Sequence, residues 1–297
     1  MRVVRVRSDD LPRRRSAVVD LHYLTLADGR PTLDEFVEYL KTELVYFCLP
    51  RSHRQNTLEL IAADPNKAYG LIGTDLERAK SLFLRDENDR SGECGELALF
   101  VFLEWALKAP QVLAKMSLKT NPNMPIHGTD GIHIGYDDVE HVLIVYWGES
   151  KVYQSFASGL AAAAKTIGDF VSSQERQKHE LQLLQDYMDV GEGNLELRHS
   201  LLQYLNPYTR ERLNRREIFA CLLCYDEKDY EQLSSLPPEG LEDRFRRLLS
   251  DAFQPMCNLV SRTIDESPLV DHRFHFFLLP VRSVMELRQA FSHAIRG

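Results

Sequence analysis

The segment His141-Val-Leu-Ile-Val-Tyr-Trp147 constrains this chain more than any other. From Val142 on it is apolar and rich in β-branched and aromatic residues, which suits a buried strand better than a helix. Just before it, Gly131-Ile-His-Ile-Gly-Tyr136 reads as a shorter strand, with Asp137-Asp138-Val139-Glu140 as the polar turn between them. The pattern predicts a β-hairpin. Partners across a hairpin have numbers that sum to about twice the turn centre, so a centre near 139 sets Asp130 opposite Glu149 within a register step.

That register gathers chemistry. Glu149 and Lys151 are two residues apart, so an extended backbone turns both to one face. Asp130, Glu149 and Lys151 are therefore expected to converge, and three polar groups beside an apolar strand need a partner or a task, because burying them unpaired is costly. Two carboxylates offer hard oxygen ligands suited to Mg²⁺ or Mn²⁺. Such a cation lowers the pKa of a bound water and neutralises charge on a phosphate. An amine beside it stabilises that charge or positions the nucleophile. The chemistry served by this set is phosphodiester hydrolysis.

A third acid is upstream. Gly92-Glu93-Cys94-Gly95-Glu96 opens the run Leu97-Ala-Leu-Phe-Val-Phe-Leu103, which has no polar side and is expected as a helix buried all round. Glu96 at its mouth is either a partner of the helix dipole or an additional metal ligand. The second role is favoured, because Lys115-Met-Ser-Leu-Lys-Thr120 is read as a strand leading to Asp130.

Gly92-Glu-x-Gly-Glu96, Ala109-Pro110, Lys115 to Lys119-Thr120, His127-Gly-x-Asp130-Gly and Gly148-Glu149-Ser-Lys151 together resemble the HamA family, effector subunits of the bacterial Hachiman antiphage system. The likeness is strongest over residues 90–155. It implies an α/β fold with a PD-(D/E)xK, restriction-endonuclease-like core: a mixed sheet flanked by helices. Asp130, Glu149 and Lys151 then stand at the motif positions, with Mg²⁺ or Mn²⁺ on Asp130, Glu149 and Glu96. It also implies a partner helicase of the HamB kind and destruction of DNA during infection. Pro125, the proline nearest Asp130, does not directly precede it.

Plainer readings exist for each piece. Asp130-Gly131 has the form of an ordinary turn, and Glu149 with Lys151 that of a solvated ion pair. His127, His133 and His141 are close in sequence but lack zinc-finger spacing. Cys221 and Cys224 have redox spacing, yet Ile218-Phe-Ala-Cys-Leu-Leu-Cys-Tyr225 is an apolar strand pattern, so core packing is expected. Two other function classes stay open: a non-catalytic scaffold subunit of the helicase complex, and a ribonuclease toxin.

The 297 residues allow one large domain or two modest ones. Residues 1–88 are expected as a mixed α/β region that docks a partner or covers the sheet, and residues 89–297 as the catalytic core with a helical C-terminal half. Predicted elements are a strand over 16–26, a helix capped by Thr32, helices near 54–63 and 74–84, and a linker at 86–92. After Lys151 come helices at 157–171, 174–188 and 195–205. Strands follow at 217–225 and 273–280, a charged helix near 239–261 and a last helix at 283–295. The catalytic hairpin is expected at the centre of the sheet.

Five cysteines without regular spacing suit a reducing compartment, and wholly apolar runs such as Leu97–Leu103 are too short to span a bilayer. A cytoplasmic protein with no membrane contact and no small-molecule cofactor is expected. No Walker A loop is present, so ATP use falls to the partner. The net charge of −8 is awkward for DNA binding, which depends on neutralising phosphates. Delivery to DNA by the helicase is the expectation, with Arg13–Arg15, Arg210–Arg216 and the lysines 115, 119 and 151 as the local positive stretches.

Overall fold

The computed structural model describes residues 3–8, 17–83, 90–118, 128–137, 139–189, 195–205, 215–233 and 239–296. Its strands are β1 (Val3–Ser8), β2 (Ala17–Leu24), β3 (Leu26–Ala27), β4 (Arg30–Pro31), β5 (Gly131–Asp137), β6 (Val142–Tyr153), β7 (Arg215–Asp226) and β8 (Arg273–Val281). The helices before β5 are α1 (Leu33–Cys48), α2 (Arg51–Ala63), α3 (Ala68–Phe83), α4 (Arg90–Ala106) and α5 (Lys115–Leu118). Those after β6 are α6 (Phe156–Val171), α7 (Gln174–Tyr187), α8 (Leu195–Leu205), α9 (Asp229–Leu233), α10 (Leu241–Asp265) and α11 (Val284–Arg296).

The main sheet runs β1-β2-β8-β7-β6-β5. β2, β8, β7 and β6 are parallel, and an antiparallel strand closes each side, β1 against β2 and β5 against β6. The fold is thus α/β with a mixed sheet. Strands buried on both faces need apolar residues at every position, and Phe219–Tyr225 and Phe274–Val281 supply them, His275 excepted. One face carries Val19, Leu21, Val145, Trp147, Phe219, Cys221 and Phe276 into a core shared with α6, α7, α8, α9 and α10. The other carries Tyr146, Val152, Ala220, Leu222, Phe277 and Leu279 against α1, α3, α4 and α11. Leu97–Leu103 of α4 is buried at every position, as its composition requires, because the helix lies between the sheet and α1 and α11.

The predicted hairpin forms with the expected register, Gly131 opposite Gly148 and Asp137 opposite Val142. Its place differs from the expectation. It lies at one side of the sheet, with β5 outermost, because β6 gives its other edge to a long parallel ladder with β7. An exposed outer strand invites pairing with another chain. Here residues 110–112 run beside it: Ile134 N donates to the Pro110 carbonyl, Val112 N donates to the Ile132 carbonyl, and Gln111 bridges His133.

Two further expectations change. Lys115–Leu118 is a helical turn, not a strand, closed by the Ser117 N–H and hydroxyl, which both donate to the Ala114 carbonyl at 3.0 and 2.7 Å. The Thr32 hydroxyl does not cap α1 but donates to the Thr25 carbonyl at 3.0 Å, tying down the base of the β3–β4 ribbon. Residues 1–88 supply two strands of the main sheet, and α1 and α3 share a core with α4. The remaining helices and the two late strands form where predicted. Arg13–Arg15, residues 86–89, Lys119, Thr120, Pro125, His127 and Arg210–Asn214 fall outside the described residues.

Candidate active site

β6 alternates at its far end. Ser150 and Val152 turn toward α4, where Gly95 lies so close that a Cβ would meet Val152 Cγ2 at 2.8 Å and Ser150 Oγ at 3.1 Å. Glu149 and Lys151 turn toward α6 on the opposite face, Glu149 beside Thr166 and Lys151 beside Gly159. Asp130, one residue before β5, continues the hairpin register to stand next to Glu149, and its N–H donates to the Gly148 carbonyl at 2.8 Å. The structure brings Asp130, Glu149 and Lys151 together.

Ser150 orients the first acid. Its backbone N–H donates to Asp130 Oδ2 at 2.6 Å and its hydroxyl donates to the same oxygen at 2.8 Å. The middle residue of Glu-x-Lys therefore has a role that its identity alone did not disclose. Lys151 Nζ forms an ion pair with Glu149 Oε1. Glu149 is only 3 % exposed, and burial, reinforced by the Asp130 charge, pushes its carboxyl up to about 8 against the pull of Lys151 and Thr166. Burial drags the Lys151 ammonium down, but the Glu149 carboxylate, helped by Asp130 and Tyr153, raises it overall. The amine is held charged, and the acid parts with its proton reluctantly.

Glu96 lies on α4, the layer covering the Ser150 face, next to Gly95. Among the described residues no three His, Cys, Asp or Glu side chains are grouped to hold a metal ion, so Glu96 is not gathered with Asp130 and Glu149. The two acids nevertheless fit a hard divalent cation that keeps several of its waters. They are adjacent, one is buried and repelled by the other, and Ser150 engages one oxygen of Asp130 while Lys151 and Thr166 engage Glu149. They do not make a closed all-protein cage.

Other candidates resolve differently. His133 is buried, its Nδ1 is 2.8 Å from the Ala109 carbonyl, and desolvation lowers it to about 4. His141 occupies a left-handed turn position and lies beside the Tyr136 ring. Cys221 and Cys224 are free, buried thiols of the β7 core. Lys115, expected among cations facing the site, points inward to Glu180. Arg216 pairs with Asp137 and Glu140. A cleft of about 880 Å³, lined by Arg30, Asp34, Tyr230 and Arg282 among others, contains none of the three site residues. No described helix is long and apolar enough to cross a membrane.

The family model for HamA matches residues 4–295, so the chain belongs to the HamA family, and that membership fits an effector of antiphage defence. A comparison with curated proteins finds no match.

Proposed function

We propose that this HamA-family chain is the nuclease effector of a Hachiman-type defence system, with a PD-(D/E)xK core that hydrolyses DNA phosphodiesters. One observation carries the reading: a buried glutamate held beside a second acid and a lysine at the end of a hairpin. Asp130 and Glu149 would hold Mg²⁺ or Mn²⁺, which supplies an activated water and charge neutralisation at the phosphate. Ser150 fixes the rotation of the Asp130 carboxylate. Lys151, kept protonated by Glu149, presents positive charge where negative charge grows as the phosphodiester is attacked. The position also suits the fold, since open α/β sheets commonly bind ligands outside the carboxyl ends of parallel strands.

The charge pattern supports delivery by a partner helicase. The chain carries a net charge of −8, and two of its candidate DNA-facing cations, Lys115 and Arg216, are neutralised internally. The test is to incubate the purified chain, alone and with its helicase, with plasmid, linear duplex and RNA in the presence of Mg²⁺ or Mn²⁺. Cation-dependent DNA cleavage that disappears in a folded Glu149→Gln variant supports the reading. Cleavage that survives that substitution overturns the site, and preferential cleavage of RNA overturns the substrate.

A further inference from the structure

Asp130 stands just before β5, where its N–H donates to the Gly148 carbonyl at 2.8 Å, and Gly128 and Thr129 precede it outside the strand. Ser150 holds its carboxylate from the β6 side. On the other side is an ion pair that the chemistry above leaves unused. Lys115 Nζ, on α5, donates to the Thr129 carbonyl at 2.6 Å, lies 3.3 Å from Thr129 Oγ1, and meets Glu180 Oε1 and Oε2 of α7 at 2.8 and 2.6 Å. Lys115 is 5 % exposed and Glu180 is fully buried. The Glu180 carboxylate also occupies the space over Gly128, where a Cβ would come within 1.6 Å of Oε1. This explains the glycine of His127-Gly-x-Asp130, which the chemistry of the site leaves without a role.

We infer that Lys115 and Glu180 are positioning residues for Asp130, clamping the Gly128-Thr129 backbone so that the next carboxylate faces Glu149. The inference rests on the metal-dependent reading of the site. Removing two charges from water costs more than their attraction commonly returns, so such a pair is a poor device for stability alone. It is a good device for geometry when every donor and acceptor is satisfied. Here the ammonium spends its donors on one carboxylate and one specific carbonyl, adjacent to the residue that must be placed.

The test uses the full chain with Lys115 and Glu180 both changed to Met, which keeps the volume and leaves no buried charge. Thermal unfolding is expected near that of the wild type. Affinity for Mn²⁺ alone, measured by calorimetric titration, is expected to fall about 10–100-fold, the usual loss when groups that orient a ligand are removed. Plasmid cleavage should fall in step. Should the double variant not fold, Lys115→Gln with Glu180→Gln keeps hydrogen-bonding groups without a buried charge and carries the same expected direction. Thr57→Val breaks a buried hydrogen bond to Asp75 far from the site and should lower stability without touching Mn²⁺ affinity. Unchanged Mn²⁺ affinity in the Lys115/Glu180 variants overturns the inference while leaving the nuclease reading intact. A wild-type chain that neither binds Mn²⁺ nor cleaves removes both.

Discussion

Acid should loosen this protein through a single histidine on the hairpin. His133 is 1 % exposed, sits 5.7 Å from the Phe100 ring, and is held near pKa 4 by desolvation, against an ordinary value of 6.5. Its folded pKa is depressed, so between those limits the unfolded chain binds more protons than the native one, and stability falls as pH drops from 6.5 toward 4. Lowering that pKa from 6.5 to about 4, at about 1.36 kcal/mol per pH unit, gives a loss of about 3 kcal/mol by pH 4. That is a large part of the ~5–15 kcal/mol that holds a typical domain together. Glu149 acts in the opposite sense. Its pKa is raised to about 8, so its contribution favours the fold at low pH and is lost as pH rises above 4.5. Total stability therefore mixes the two. The clean measurement is urea unfolding of wild type and His133→Asn at several pH values between 4 and 7, since asparagine keeps a donor for the Ala109 carbonyl and does not titrate. The difference between the two proteins should shift toward the variant by about 3 kcal/mol over that window. Parallel acid slopes would refute the assignment of that proton to His133.

Other substitutions test the packing and the chemistry. Gly128→Ala pushes a methyl into the Glu180 carboxylate and should destabilise the fold by about 3 kcal/mol through the broken ion pair, read by chemical denaturation. Gly95→Ala gains helix propensity of about 1 kcal/mol but presses on Val152 and Ser150, so a net loss of roughly 1–2 kcal/mol is expected, and a more stable variant would contradict the close approach. Chelation should stop DNA cleavage and added Mn²⁺ restore it. Lys151→Met should cut the single-turnover rate about 10²–10³-fold while the far-ultraviolet circular dichroism is unchanged.

Local pattern carried much of this structure. The apolar run at 141–147 with its polar turn predicted a hairpin, and simple pairing arithmetic placed Asp130 beside Glu149, as the Gly131–Gly148 pair requires. Helices α6, α7 and α8 and strands β7 and β8 each follow from the period of their own apolar residues. Failures came where a residue answers to something distant in sequence. Thr32 had the chemistry of a cap, but its hydroxyl was claimed by Thr25. Lys115–Leu118 looked extended, yet Lys115 turns to a glutamate 65 positions away.

What the sequence settled unaided is the identity and spacing of the reactive groups, together with the extended backbone that turns Glu149 and Lys151 the same way. Covalent geometry and side-chain alternation are local, so they can be read from neighbours. Tertiary structure alone decided that β5 closes one side of the sheet, that Glu149 is buried deeply enough to hold its proton up to about 8, and that Ser150, Lys115 and Glu180 brace Asp130 from two directions. Burial and charge act through space, and their strength depends on which distant segments arrive beside a residue.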